Sequence, residues 1–226
     1  MGKKQASLDP SVLKPAFLAM LAAILIFGAS SKTVRDSVKD ISWDGIPWAS
    51  IDPGAAIYNA TVAVTLLSAY TILFLAAYKK IQGKKLKYGD DLKAAIIFTV
   101  IALAMTYPLL LVYTSHVPGD GRDSIKSMWN LWTAKERITR SHDPYHTDMI
   151  FHPQGTSLIL DSYPLLAGII SIPAQSLSGL IPAYNTMMLL ALIWSAFGAY
   201  KLTEYLTKDR NTAIICGLAF GFSPYH

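Results

Sequence analysis

Residues 55–78 read AAIYNATVAVTLLSAYTILFLAAY, an uncharged run that ends against Lys79 and Lys80. A helix needs about 20 apolar residues to cross the hydrocarbon core of a bilayer. Inside that core a lipid-exposed chain can satisfy its backbone only as a helix or a closed barrel. This run therefore predicts a spanning helix, and the sequence on either side extends the pattern. Residues 15–30 are uncharged behind Lys14, whose long stem can snorkel to the interface. Residues 94–113 are uncharged, and so are residues 184–200, which run up to Lys201. Residues 212–226 are apolar but too short to cross. A helix that stops before it has crossed raises the expectation that these residues are the front part of a longer chain.

Composition supports the same class. Hydrophobic residues make up 52% of the chain and charged residues 15%, against about 25% charged in soluble domains. So apolar a chain is not disordered. Glycine has no three-residue period and no heptads recur. Cys216 is the single cysteine, set in an apolar run, which excludes a disulfide scaffold and reads as a small buried hydrophobe. The net charge of +5 comes from Lys and Arg set beside apolar runs, the pattern that orients membrane helices. With no Gly-rich phosphate loop, RNA-binding motif or zinc-ligand spacing, nucleic acid is not an expected partner. The expected fold class is an all-α integral membrane protein, a multi-span helical bundle with a large extracytoplasmic loop bearing an amphipathic interfacial helix. Its expected location is the plasma or inner membrane.

The first run has a rival reading. Lys3 and Lys4, the apolar stretch and Gly28-Ala29-Ser30-Ser31 also resemble a signal peptide. The long polar lead containing Asp9 and Pro10 counts against it. Orientation follows from the basic linker at residues 79–87, the densest Lys cluster in the chain. Placed in the cytoplasm, it puts the N-terminus there too and sends residues 31–54 and 115–161 outside. Lys201, Lys208 and Arg210 should again be cytoplasmic, so a single crossing is expected between Asp161 and Lys201. Of the two apolar stretches there, residues 163–180 contain Pro164, Gly168, Pro173 and Gly179 and make the poorer spanning helix. They are expected to lie in the outer interface or dip in and back, with residues 184–200 crossing. The alternative is that both cross and the Lys201 cluster faces outward.

The external region holds most of the side chains capable of chemistry. Gly119-Asp120-Gly121 can turn sharply and present a carboxylate. An Asp partly out of water beside a membrane can act as a base. Its bland reading is a turn or N-cap Asp ahead of the next helix. Residues 124–140 are helical in pattern. Ile125, Met128, Trp129, Leu131, Trp132 and Ile138 fall on one face, and Lys126, Lys135, Glu136, Arg137 and Arg140 mainly on the other. Such a helix could lie flat on the membrane or pack on neighbouring spans. The following loop offers His142, Asp143, His146, Asp148 and His152 as nitrogen and oxygen donors for a divalent metal, or simply as hydrogen-bonding loop residues. Asn59-Ala60-Thr61 fits a glycosylation pattern but sits at a span entrance and reads as a chance match.

A set of residues in this order resembles a known family. Tyr107-Pro108 ends a span, followed by Gly119-Asp120-Gly121 and the Trp-rich helix. Asp143-Pro144-Tyr145, Thr147-Asp148 and Phe151-His152-Pro153-Gln154-Gly155 come next. Ala183-Tyr184-Asn185 opens a span, and Phe220-Gly221-Phe222-Ser223-Pro224-Tyr225 closes the set. From about residue 95 onward the chain resembles the N-terminal part of multi-pass membrane glycosyltransferases of the GT-C type. The resemblance implies two units. Residues 1–92 would be a two-span extension with the basic cytoplasmic linker, and residues 93–226 the front of the membrane enzyme.

The resemblance also implies a polyprenyl-phosphate-linked sugar as donor and an essential acidic residue early in the external loop. That position falls on Asp120, with Asp123 close by. Arg122, Lys126 and His152 would meet the lipid phosphate, since cations stabilise a phosphate leaving group. A divalent metal on Asp143, His146 and Asp148 is a further implication, although the spacing departs from the two-residue acidic pattern of the family. The rival class is a non-catalytic membrane subunit whose partners complete the assembly. A transporter is disfavoured because no charged residue lies inside a span.

Overall fold

The computed structural model describes residues 52–82, 88–118 and 122–223. The expected first span at 15–30, the loop at 31–51, residues 83–87 of the basic linker and the Gly119-Asp120-Gly121 turn lie outside the described residues. What is described is mostly helical, as expected.

Helix α1 (Pro53–Gln82) starts where the Asp52 carboxylate accepts the Ala55 N–H at 2.8 Å, an N-cap contact. It continues past the apolar run through Lys79 and Lys80, which suit a helix C-terminus. Helix α2 (Tyr88–Met105) begins earlier than the uncharged run, because Asp90 and Asp91 in its first turn favour the positive end of the helix. It breaks at Thr106, and the one-turn helix α3 (Tyr107–Leu111) resumes with Pro108 in its first turn. The expected single span over 94–113 is thus two helices separated by a kink. Helix α4 (Arg122–Thr139) leads into a two-stranded antiparallel ladder, β1 (His146–Thr147) with β2 (Thr156–Ser157). Helices α5 (Leu165–Ser178), α6 (Leu180–Thr207) and α7 (Arg210–Gly221) complete the chain.

Two helices among the described residues, Pro53–Ile81 and Leu180–Thr207, are long and apolar enough to cross a membrane. At 1.5 Å per residue they measure roughly 40–45 Å, against about 30 Å of hydrocarbon. By the same measure α5 is about 21 Å long and α7 about 18 Å, so each is too short to cross alone. Residues 163–180 therefore do not form a spanning helix, and Gly179, at φ +94°, separates α5 from α6.

Side-chain contacts give the helix directions. Phe74 stacks on Trp194 with centroids 4.8 Å apart, and Tyr78 meets Phe197 edge-on at 6.0 Å, so α1 and α6 run parallel. Asp91 pairs with Lys201 and the Tyr113 hydroxyl bonds Thr186, so α2 and α3 run against α6. The core between them holds Leu67, Phe98, Leu189, Leu190, Ile193 and Phe197. Helix α7 folds back along α6 so closely that a Cβ on Gly221 would stand 2.4 Å from the Ala196 Cβ.

These directions create two ends. One gathers the C-terminus of α1, the start of α2, the end of α6 and the start of α7. The other gathers the entrance of α1, α3 with the segment after it, and the start of α6. The Lys79–Lys80 end and the Lys201–Arg210 region therefore share one end of the bundle, as the charge pattern demands.

Candidate functional site

The loop that follows α3 is fixed to both spanning-length helices by two asparagines. Asn59, on α1, donates from Nδ2 to the Leu111 carbonyl at 2.7 Å. Its Oδ1 accepts the Thr114 N–H at 3.0 Å and the Thr114 hydroxyl at 2.7 Å. Asn185, on α6 and fully buried, donates from Nδ2 to the carbonyls of Tyr113 and His116, both at 2.8 Å. Each carbonyl past a helix end needs a donor, and in an apolar bundle only a side chain can supply it. The segment entering Gly119-Asp120-Gly121 is thus held from two sides. Asn59 is 6% exposed and bonded through both Nδ2 and Oδ1, which agrees with reading its glycosylation pattern as chance. His116, whose Nδ1 lies 2.8 Å from the Ser115 hydroxyl, has its pKa lowered by burial.

Of the two expected carboxylates, Asp120 lies outside the described residues and Asp123 is exposed in the first turn of α4. Arg122 opens α4, its side chain also outside the description. Lys126 donates to Asp161 Oδ1 at 2.7 Å and to the Ser162 hydroxyl at 3.1 Å. The Lys126 ammonium holds the Asp161 carboxyl below its ordinary value. His152 is exposed at the far end of the β1–β2 loop.

Helix α4 packs on α5 and α6 rather than standing free. A Cβ on Gly168 would stand 2.3 Å from the Ala134 Cβ, and Gln175 Nε2 donates to the Leu131 carbonyl at 2.9 Å. Its inward face is Ser124, Asn130, Leu131, Thr133, Ala134 and Arg137; of the apolar row only Leu131 belongs to it, while Ile125, Met128, Trp129, Trp132 and Ile138 stay partly or largely exposed. Ile125 is 55% exposed. The face is partly polar because the loop behind it presents backbone carbonyls that need donors. Asn130 donates to the Ser162 carbonyl at 3.2 Å, and Arg137 donates from Nε to the His146 carbonyl at 2.6 Å. Arg137, expected on the solvent face, is 9% exposed. Its second contact to the same carbonyl comes from Nη2, and Nη1 lies 3.4 Å from His142 Nδ1.

The β1–β2 loop closes on Gly155, at φ +69°, where a Cβ would stand 2.6 Å from the Thr147 carbonyl. Only glycine fits that combination of handedness and contact. Three buried polar atoms around α4, Asn130 Oδ1, Thr133 Oγ1 and the Tyr163 hydroxyl, have no hydrogen-bond partner among the described residues. Burial raises the Tyr163 pKa, so that hydroxyl keeps its proton to donate.

The expected metal donors go separate ways. Asp143 Oδ1 accepts the Tyr145 N–H at 2.9 Å, a local turn contact. Asp148 Oδ1 lies 3.7 Å from Arg137 Nη1. The His146 ring sits beside Gly155. Among the described residues no three His, Cys, Asp or Glu side chains come together so that they could hold an ion. What forms instead is an open cavity of about 290 Å³ lined by Glu136, Arg137, Arg140, His142, Asp148 and Met149. Its two arginines face two carboxylates, and Arg140 is tied to Glu136 at 2.9 Å. Counting those four side chains, the formal charges balance.

Sequence reasoning passed over Asn130, Arg137 and the clamping roles of Asn59 and Asn185. The available signal was an asparagine inside or opening an otherwise apolar run, since amide side chains in such runs bond across to neighbouring helices. Comparison with family models, with curated proteins and with solved structures found no match.

Proposed function

We propose that the chain is a multi-span membrane protein of the glycosyltransferase kind, transferring a sugar from a polyprenyl-phosphate donor to an extracytoplasmic acceptor. The observation that supports this reading is the double asparagine clamp. It fixes the backbone entering Gly119-Asp120-Gly121 against α1 and α6, the two helices of spanning length. A base that must meet a lipid-borne substrate needs a rigid mount at the membrane boundary.

In this reading Asp120 takes the proton from an acceptor hydroxyl, and the hydroxyl oxygen attacks the anomeric carbon. The sugar–phosphate bond breaks with inversion, and the charge leaves on the lipid phosphate. Arg122, Lys126 and His152 serve that phosphate. Lys126 has two of its three donors engaged, leaving one for a phosphate oxygen. Residues 115–161 face outward and the linker at 79–87 faces the cytoplasm.

The test is transfer of labelled sugar from polyprenyl-phosphate sugars extracted from the host membrane, with the protein held in lipid nanodiscs. Asp120→Asn should abolish transfer while leaving membrane insertion intact. Full activity in that variant rules out the assignment.

The engagement of Arg137, Asp143 and Asp148 in internal contacts favours a second reading, a non-catalytic membrane subunit whose loop is a docking surface. Absence of transfer by the wild type, alone and with co-purified partners, would favour it.

A further inference from the structure

The lobe between α4 and α5 carries an apolar surface that its own fold leaves uncovered. Leu160 is 99% exposed, Phe151 75%, Ile159 67%, Met149 47% and Ile150 41%. Five large apolar side chains on one short lobe form the kind of patch that marks an interaction site.

The surroundings of the patch favour lipid as its cover. The chain has two helices long and apolar enough to cross a membrane, and the multi-span reading, on which this inference rests, puts a bilayer alongside. Ile159 and Leu160 are followed, after residues 161–164, by α5, an uncharged helix whose Leu166, Ile169 and Leu177 are exposed as well. Lobe and helix thus both leave large apolar side chains uncovered. Residues 149–160 contain no Asp, Glu, Lys or Arg, and the flanking Asp148 and Asp161 face Arg137 and Lys126. Tyr145 and Tyr163, in edge contact at 6.1 Å, stand at the root of the lobe, and tyrosines are enriched where membrane meets water.

We infer that residues 149–160 dock on the bilayer surface, with Phe151 and Leu160 inserted at headgroup depth and the lobe acting as a lipid-contacting foot. The inference goes beyond the transferase reading and stands whether or not the chain transfers a sugar.

The test places an environment-sensitive fluorophore at Phe151→Cys or Leu160→Cys, each in a Cys216→Ser background. The whole protein is held in nanodiscs of phosphatidylcholine and phosphatidylglycerol. Both positions are exposed, so labelling should not disturb the core. The expected result is blue-shifted emission, quenching by lipids carrying a nitroxide near the headgroup, and weak quenching by aqueous iodide. Strong iodide quenching with no lipid quenching at either position overturns the inference, because the lobe then stands in water. Protection from both quenchers overturns it too, because protein then covers the lobe.

Discussion

The two ends of the bundle are built on different chemistry. At the loop end, Asn59 and Asn185 bind backbone groups of residues 111–116 through neutral, buried hydrogen bonds. At the opposite end, Lys201 bonds Asp91 at 3.0 Å and also Glu204, while Arg210 pairs with Asp90 and reaches Glu204 at 3.4 Å. That cluster of three carboxylates and two cations ties α2, α6 and α7 together. The amides fix an exact backbone path, because a carbonyl accepts only along its own lone pairs. The ions hold helix ends together, and ionic strength loosens chiefly the more exposed Arg210–Asp90 pair. The end that carries the candidate chemistry is thus the one held by direction-dependent, salt-insensitive bonds.

Breaking the amide end should have the largest effect. Asn185→Leu strands the Tyr113 and His116 carbonyls in the bundle. With each of the two lost partners worth about 1–3 kcal/mol, the expected destabilisation is about 2–6 kcal/mol. Thermal unfolding in detergent micelles should show it equally at low and high salt. A melting temperature unchanged from wild type would mean the clamp carries little of the fold.

The ionic end should respond less, and in a salt-dependent way. Asp90→Asn removes one partner of Arg210 but leaves Glu204, for an expected loss of about 0.5–1 kcal/mol at low salt. The same melts in molar salt should narrow the gap to wild type. A loss as large as that of Asn185→Leu, and independent of salt, would erase the distinction between the ends.

An ion pair set at the loop end sharpens the contrast further. Lys126 holds the Asp161 carboxyl below its ordinary value, so the pair stabilises the fold above the usual Asp titration near pH ~3.9. That contribution is lost as pH falls through the lowered folded value. Lys126→Ala should give a small shift in melting temperature at neutral pH that vanishes in acid. A shift that persists in acid would assign the effect to packing of the Lys126 stem instead.

Much of this architecture is legible in the sequence because charge-free runs are local. The runs at 55–78 and 184–200 became α1 and α6, and residues 163–180, with their prolines and glycines, gave only the 14-residue α5. Helix ends were less legible. A helix continues as long as its residues tolerate it, so α1 runs on through Lys79 and Lys80 and α2 starts back at Tyr88.

What periodicity did not reveal was which face of α4 turns inward. The partners of Asn130 and Arg137 are carbonyls of a loop that folds back, and nothing in an apolar pattern announces them. Long-range pairs were equally hidden. Lys201 and Arg210 read as bare orienting charges, yet Asp90 and Asp91, 110 or more residues away, neutralise them. The residues proposed for chemistry were read from order and resemblance. Of these, Lys126 is the one whose contacts the described residues define most fully.

In the proposed topology a bilayer separates the two ends, with the loop end outside. The most direct measurement is labelling of single cysteines, again in a Cys216→Ser background, by a membrane-impermeant maleimide on intact cells that make the protein. Asp143→Cys, in the loop, should label from outside. Lys80→Cys, at the ionic end, should label only after the membrane is opened. Labelling of both from the same side, or of Lys80→Cys alone from outside, would contradict the account.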